Sequence, residues 1–175
     1  LDNIREVVTR GRDRGVFVNI DMENSPYTDA TLLAFRKLRE EGFTNVGVVI
    51  QAMLRRSEQD VLALAEYKPV VRLCKGIYRE ARTIAFTDRE EVRANYRKLL
   101  RLMLDRGFYP AIATHDDPLI EDAQGQIRER GLRNDQYEFQ MLLGVREAVR
   151  RRLLGEGHHL RVYVPFGEDW YGYST

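Results

Sequence analysis

Val70-Val-Arg-Leu-Cys74 is an apolar run of strand length broken by a single charge, and it leads directly to Lys75 and Tyr78. A short run rich in β-branched residues that stays apolar on both faces reads as a strand of a parallel sheet. The same pattern recurs in both directions along the chain. Val16-Phe-Val-Asn-Ile20 runs into Asp21 and Glu23, and Val46-Gly-Val-Val-Ile50 into Gln51. Ala111-Ile-Ala113 runs into Thr114 and His115, Tyr137-Glu-Phe139 into Gln140, and Leu160-Arg-Val162 into Tyr163 and, further on, Glu168. Strand starts near residues 16, 46, 70, 109, 137 and 160 alternate with helical patterns, which makes the fold α/β. In a (β/α)8 barrel the reactive face lies at the C-terminal ends of the strands, where these polar residues stand, so the expected architecture is a TIM-type barrel represented by about six strands.

The intervening segments carry helix signals. Thr28-Asp29 marks a start, Leu32, Phe35 and Leu38 keep helical spacing, and Gly42 marks a stop. Ser57 and Asp60 read as a Ser-x-x-Asp cap before Val61, Leu62 and Leu64. Tyr96, Leu99, Leu100 and Met103 repeat at i, i+3, i+4, i+7, and Gly107 closes that helix. Leu119 to Arg130 and Gly144 to Leu154 supply two more, and Leu1 to Arg14 precedes the first strand. Arg79 to Thr87 forms the longest connection on the reactive face, a place where long loops usually serve a site.

With 175 residues, 43% of them hydrophobic, the chain can bury the core of one domain, yet a full barrel usually takes about 250 residues. The 28 basic and 27 acidic residues nearly cancel, so charge gives no case for nucleic acid or an anionic membrane as partner. No apolar run approaches the roughly 18 residues of a membrane span, and the polar start at Leu1 lacks a signal peptide's apolar core. A soluble cytoplasmic protein is the expectation. The single Cys74 has no disulfide partner in the chain and reads as a small buried apolar side chain.

There is no Gly-x-Gly-x-x-Gly, Walker loop, Cys-x-x-Cys or Gly-x-Ser-x-Gly, so the usual signals for Rossmann cofactor binding, P-loop chemistry, zinc ribbons and serine hydrolysis are lacking. Asp21, Glu23, His115 and Asp116 are chemically able to hold a divalent metal, or they simply cap helices and bond loop backbone. Arg72 sits inside a strand, where its guanidinium should be buried and must meet either a carboxylate such as Glu138 or an electron-rich ligand. Tyr78, Tyr163, Trp170, Tyr171 and Tyr173 put aromatic surface at the same end, suiting a flat organic ligand, although aromatics near strand ends are core filler in most proteins.

Six blocks in order, Val18-Asn-Ile-Asp-Met-Glu23, Gly47-Val-Val-Ile-Gln-Ala52, Val71-Arg-Leu-Cys-Lys-Gly-Ile-Tyr78, Tyr109-Pro-Ala-Ile-Ala-Thr-His-Asp116, Tyr137-Glu-Phe-Gln-Met-Leu142 and Arg161-Val-Tyr-Val-Pro-Phe-Gly167, resemble the FAD-dependent proline dehydrogenases, in particular the short monofunctional bacterial ones. The resemblance implies a distorted barrel with FAD at its C-terminal mouth. It further implies oxidation of L-proline to Δ1-pyrroline-5-carboxylate by hydride transfer to flavin N5, the first step of proline catabolism. On it, Arg72 lies beside N5, Gln51 bonds the pyrimidine edge, Thr114 and His115 contact the flavin, Lys75 belongs to the cofactor set, and Thr87 and Arg89 reach the adenine-diphosphate half. Many members carry Lys where Arg89 stands. Asp21, Tyr78, Leu142, Tyr163 and Tyr173 match the pocket around the pyrrolidine ring. The implied partners are L-proline, a quinone or other acceptor met at the inner face of the membrane, and a pyrroline-5-carboxylate dehydrogenase.

Two departures from the family pattern shape the expectation. A paired arginine that clamps the substrate carboxylate follows Tyr-x-x in the family, whereas here Tyr173 is followed only by Ser174 and Thr175. The family's first two strands, one bearing a lysine near that carboxylate, have no counterpart after Leu1. Residues 1–175 are thus expected to be a single partial barrel, strands three to eight, lacking the last helix and incomplete for catalysis alone. Ile77 stands where the family often has Ala. The competing expectations are a metal-dependent barrel lyase or isomerase using Asp21, Glu23 and His115, and a flavin-binding fragment without turnover.

Overall fold

The computed structural model describes residues 1–168, so Trp170, Tyr171 and Tyr173 lie outside the described residues. Helix α1 (Asp2–Arg12) leads into β1 (Val18–Ile20), α2 (Thr28–Glu40), β2 (Val46–Gln51), α3 (Ser57–Leu64) and β3 (Val70–Cys74). Then follow α4 (Arg89–Asp105), β4 (Tyr109–Ala113), α5 (Asp117–Glu129), β5 (Glu138–Leu142), α6 (Glu147–Gly155) and β6 (Leu160–Tyr163). All six strands are parallel and lie side by side in chain order. The result is a curled half-barrel of the TIM type, clothed by helices on its outer face. Among the described residues, β1 and β6 do not pair with each other.

Burial explains the curl. On β3 the outward Val71 and Leu73 are fully buried, whereas Val70, Arg72 and Cys74 on the inner face keep some exposure. The core fills the space between sheet and helices: Phe35 and Leu38 from α2, Leu64 from α3, and Tyr96, Leu99, Leu100 and Met103 from α4 meet Val48, Ile50, Leu73, Ile112 and Phe139 from the strands. The Tyr96 hydroxyl satisfies itself within this layer by donating to the Leu73 carbonyl at 3.0 Å. Helix α4 starts as its sequence demands, the Asp88 carboxylate accepting from the Glu90 and Glu91 amides at 2.8 and 3.1 Å.

Two other helices start where the sequence marks them, at Thr28 and Ser57, but without a side-chain cap. Ser57 is not a cap: its hydroxyl donates to the Gln51 carbonyl at 2.5 Å, while Asp60 accepts from Arg56 at 2.9 and 3.0 Å. The helix is entered from Arg56, so Ser57 is its first residue rather than its cap, and its hydroxyl proton goes to the Gln51 carbonyl, which also accepts from the Leu54 amide at 3.2 Å. Thr28 and Asp29 likewise make no cap, because Thr28 is buried and Asp29 reaches across to Arg56 at 2.6 Å. Strand β5 extends through Leu142, which places Gln140 within the strand rather than beyond it.

Candidate active site

The strands' C-terminal ends surround a cavity of about 920 Å³. From β1 comes Asp21, half exposed, and from the end of β2 the buried Gln51. Strand β3 contributes Arg72, Cys74, Lys75, Gly76 and Tyr78, α4 contributes Arg89 and Arg93, and β4 contributes Thr114, His115 and Asp116. Gln140 and Leu142 from β5 and Tyr163 from β6 complete the wall. Of the residues named from sequence, Asp21, Gln51, Arg72, Lys75, Tyr78, Arg89, Thr114, His115, Leu142 and Tyr163 all line this one space. Thr87 does not; its hydroxyl accepts from Arg82 at 3.0 Å within the connection ahead of α4. Tyr173 lies outside the described residues. Ile77 stands at the rim, 87% exposed.

Arg72 is the centre of the inner face. Its side chain is only 16% exposed, its Nη1 donates to the Asp21 carboxylate, its Nε donates to Gln140 Oε1 at 2.7 Å, and its guanidinium carbon lies 5.3 Å from the centroid of the Tyr163 ring. The expected partner Glu138 is instead engaged by Arg161 at 2.8 and 2.9 Å. Register explains the exchange on β5: Glu138 lies in the row of Arg72, whereas Gln140 lies one row of inner-face residues nearer the mouth, where the guanidinium extends, and on the other side Asp21 follows directly on β1.

A second cluster gathers cations around one buried carboxylate. Asp116, with its side chain 2% exposed, accepts from Lys75 Nζ at 2.9 Å and from Arg93 at 2.8 and 3.1 Å, with Arg89 at 3.8 Å. Burial by itself would lift this carboxyl, but the bonds from Arg93 and Lys75 outweigh it and hold the group below the usual carboxylate value. Arg93 is also bonded by Glu90, so Lys75, Arg89 and Arg93 face two carboxylates and keep one positive charge in excess, a surface for an anionic group. Arg93 was not legible as a site residue, although its spacing of four from Arg89 puts both on one face of the first turns of α4.

One polar atom reports directly on the cavity. Gln51 Nε2 donates to the Met22 and Glu23 carbonyls at 3.3 and 2.8 Å, which leaves Oε1 buried and accepting from no described residue. Next to it Gly76 adopts φ +98°, and a Cβ there would stand 2.6 Å from Met53 and 3.0 Å from Gln51 Oε1. Only glycine fits such a backbone at so close an approach. Cys74 is a bystander, its thiol pushed up to about 11 by burial.

His115 is held neutral by geometry. Its Nε2 accepts from the Leu142 amide at 2.9 Å, which assigns the proton to Nδ1, and burial lowers its pKa, helped by Arg146 and Lys75. Because the folded value lies below the unfolded one, His115 contributes stability that is complete above about pH 6.5 and is lost as pH falls through the folded pKa. His158, also lowered by burial, titrates in the same direction. Denaturant midpoints measured across this range should therefore be flat above pH 6.5 and fall below it, and His115→Gln should shrink the fall; an unchanged slope would refute the role.

The residues of the alternative metal-dependent reading are otherwise engaged: Asp21 is paired with Arg72, Glu23 accepts from the Tyr78 hydroxyl, and Asp116 serves the cations. Among the described residues no three His, Cys, Asp or Glu side chains converge so as to hold a metal ion.

The sequence profile of the family described as proline dehydrogenase matches residues 3–170. The chain belongs to the proline dehydrogenase family. It is 40% identical over 172 residues to proline dehydrogenase 2 of Bacillus subtilis (strain 168), covering 98% of this chain and 56% of that protein. Identity is also 40% over 176 residues to the proline dehydrogenase of Deinococcus radiodurans, covering 100% of this chain and 57% of that one. The crystal structure of proline utilization A from Bdellovibrio bacteriovorus inactivated by N-propargylglycine superposes with a TM-score of 0.91 at 31% identity, covering 99% of this chain and 20% of that one. The chain thus spans a little over half the length of the curated proline dehydrogenases it matches.

Proposed function

We propose that the protein oxidises L-proline to Δ1-pyrroline-5-carboxylate with FAD as its bound electron acceptor. Family membership sets the reaction class, and the observation that carries the reading is the placement of Arg72 on the inner face, between Asp21 and Tyr163 and under the cavity mouth. The residues present fit the cofactor. The orphaned Gln51 Oε1 awaits a donor such as a ring N–H, which narrows the expected role of that amide to acceptance, since its donors are spent on backbone. Gly76, packed closely by Met53 and Gln51, leaves the backbone beside that oxygen bare of a side chain, and the cations around Asp116 suit a diphosphate.

The chemistry that FAD supplies when bound is acceptance of a hydride at N5 from C5 of proline. Arg72 supplies a fixed positive charge where negative charge grows, at no cost of reorganisation. Asp21 holds that guanidinium in place and neutralises it at rest. Leu142 and Tyr163 form walls that exclude water and orient the substrate ring. Lys75, Arg89 and Arg93, gathered by Asp116, bind the anionic half of the cofactor. On the same reading β1–β6 are strands three to eight of an eight-stranded barrel. Electrons leave to a quinone or another acceptor at the inner face of the membrane, from a cytoplasmic position, and the product passes to a pyrroline-5-carboxylate dehydrogenase. No helix among the described residues is long and apolar enough to cross a membrane.

The test is to purify the full-length protein and record its visible spectrum before and after adding L-proline under nitrogen. A flavin spectrum that bleaches on proline supports the reading, and a colourless protein or an unbleached flavin sinks it. Tyr163→Ser removes one wall of the proposed ring pocket and should narrow the ratio of kcat/KM for proline to that for 4-hydroxyproline on the order of tenfold. An unchanged ratio would place Tyr163 away from the substrate ring.

A further inference from the structure

The inner face of the half-barrel carries a polar chain that runs from Arg72 across to β5 and β6. Gln140 Oε1 accepts from Arg72 Nε at 2.7 Å, Gln140 Nε2 donates to Glu138 Oε1 at 2.6 Å, and Glu138 in turn accepts from Arg161 Nε and Nη2 at 2.8 and 2.9 Å. Both Gln140 and Glu138 are buried. The register makes the contact from Arg72 to Gln140 physically available. Arg72 pairs with Ala111 and Gln140 with Ala113, so the two β4 side chains standing between them on the inner face are single methyl groups. Arg72 leans across β4 over these alanines to reach β5.

An amide can present either end, and which end faces the guanidinium decides between attraction and repulsion. Glu138 settles that choice. As a carboxylate it can only accept, so it takes the NH2 end of Gln140 and turns the carbonyl toward Arg72; Arg161, bidentate on Glu138, keeps the carboxylate charged and oriented. We infer that Gln140 is a positioning residue that fixes the Arg72 guanidinium through a carbonyl whose direction is set by Glu138. A neutral acceptor at this point holds the cation without cancelling its charge, whereas Asp21 on the opposite nitrogen both holds and neutralises it. The inference rests on the reading of Arg72 as the residue beside the flavin.

The experiment uses the full-length protein with its flavin and measures the flavin's reduction potential, kcat and KM for proline, and Tm. Gln140→Met, isosteric but without the acceptor, and Glu138→Leu should each make the potential more negative by at least a tenfold change in the reduced-to-oxidised equilibrium, about 30 mV for two electrons. Each should also lower kcat tenfold or more while KM stays within a fewfold range. Glu138→Gln loses the charge but keeps one acceptor oxygen, which Arg161 Nε and Gln140 Nε2, both donors to the same Glu138 oxygen, hold in place, so its potential should stay much nearer to that of the unaltered protein. Gln140→Asn, too short to span to Arg72, should behave like Gln140→Met if the latter folds poorly. Unchanged potentials in the Gln140 variants with only Tm lowered would show a merely structural residue. Equal losses in Glu138→Gln and Glu138→Leu would show that charge rather than amide direction matters, and would overturn the inference. An unaltered protein that lacks flavin or fails to bleach with proline would instead sink the proposed function.

Discussion

Arg72→Met is expected to slow proline oxidation by about 100- to 1,000-fold, the range found when one preorganised donor to a developing negative charge is removed. The side chain is held by Asp21, Gln140 and the face of Tyr163, so little motion is needed for it to act. Its loss has two separable consequences. The positive charge that favours the reduced flavin disappears, which makes the potential more negative and slows reduction in single-turnover mixing with proline. The Asp21 carboxylate also loses its cation, a smaller effect because Asp21 is half exposed and water can replace the partner. Affinity for a proline analogue should therefore change far less than the reduction rate. A collapse of analogue binding with an unchanged potential would move Arg72 from the flavin to the substrate carboxylate.

Asp116→Asn is expected to cost about 3 kcal/mol of stability, the lower end for breaking a buried ion pair because Lys75 keeps contact with water. For a domain of this size that is a fall in Tm of roughly 6–12 °C. The cause is specific: the Asp116 carboxylate is the shared acceptor of Lys75 and Arg93, and an amide oxygen offers them no charge. The pH signature has a definite sign. Because the folded pKa is lowered, this stability is present above the unfolded carboxyl value near 4 and is lost as pH falls through the folded one, so the variant should lack that part of the acid sensitivity. The same substitution leaves Lys75 and Arg89 without that carboxylate and Arg93 with Glu90 alone, and phosphate should then stabilise Asp116→Asn more than the unaltered protein. Equal Tm values for the two, with or without phosphate, would remove Asp116 from the cation cluster.

Much of this molecule could be read along the chain because parallel α/β units are locally encoded. Each strand is a continuous apolar run and each long helix an amphipathic one, so Val70–Cys74 and the Tyr96, Leu99, Leu100, Met103 stripe declare themselves without reference to any neighbour. The order of the strands follows from right-handed crossovers between adjacent parallel strands, and this is why the polar residues after each strand converged on one cavity. Partner choice was not encoded in this way. Whether Ser57 stands at the cap or one residue inside the helix, within reach of the Gln51 carbonyl, depends on how the chain turns after β2.

The sequence by itself determined that Arg72 is a strand arginine in need of compensation and that Asp21, Gln51, His115 and Tyr163 stand at strand ends. Only the tertiary structure decided that Arg72 takes Asp21 and Gln140 rather than Glu138, because that depends on the stagger of β3 against β5 and on the two alanines between them. It also decided that Lys75, Arg89 and Arg93, separated along the chain and carrying no common motif, share one buried carboxylate. The physical reason is the same in both cases. Strand and helix periodicity is a property of neighbours within a segment, whereas the energy of a buried charge is fixed by whatever groups the packing of different segments brings within hydrogen-bond distance.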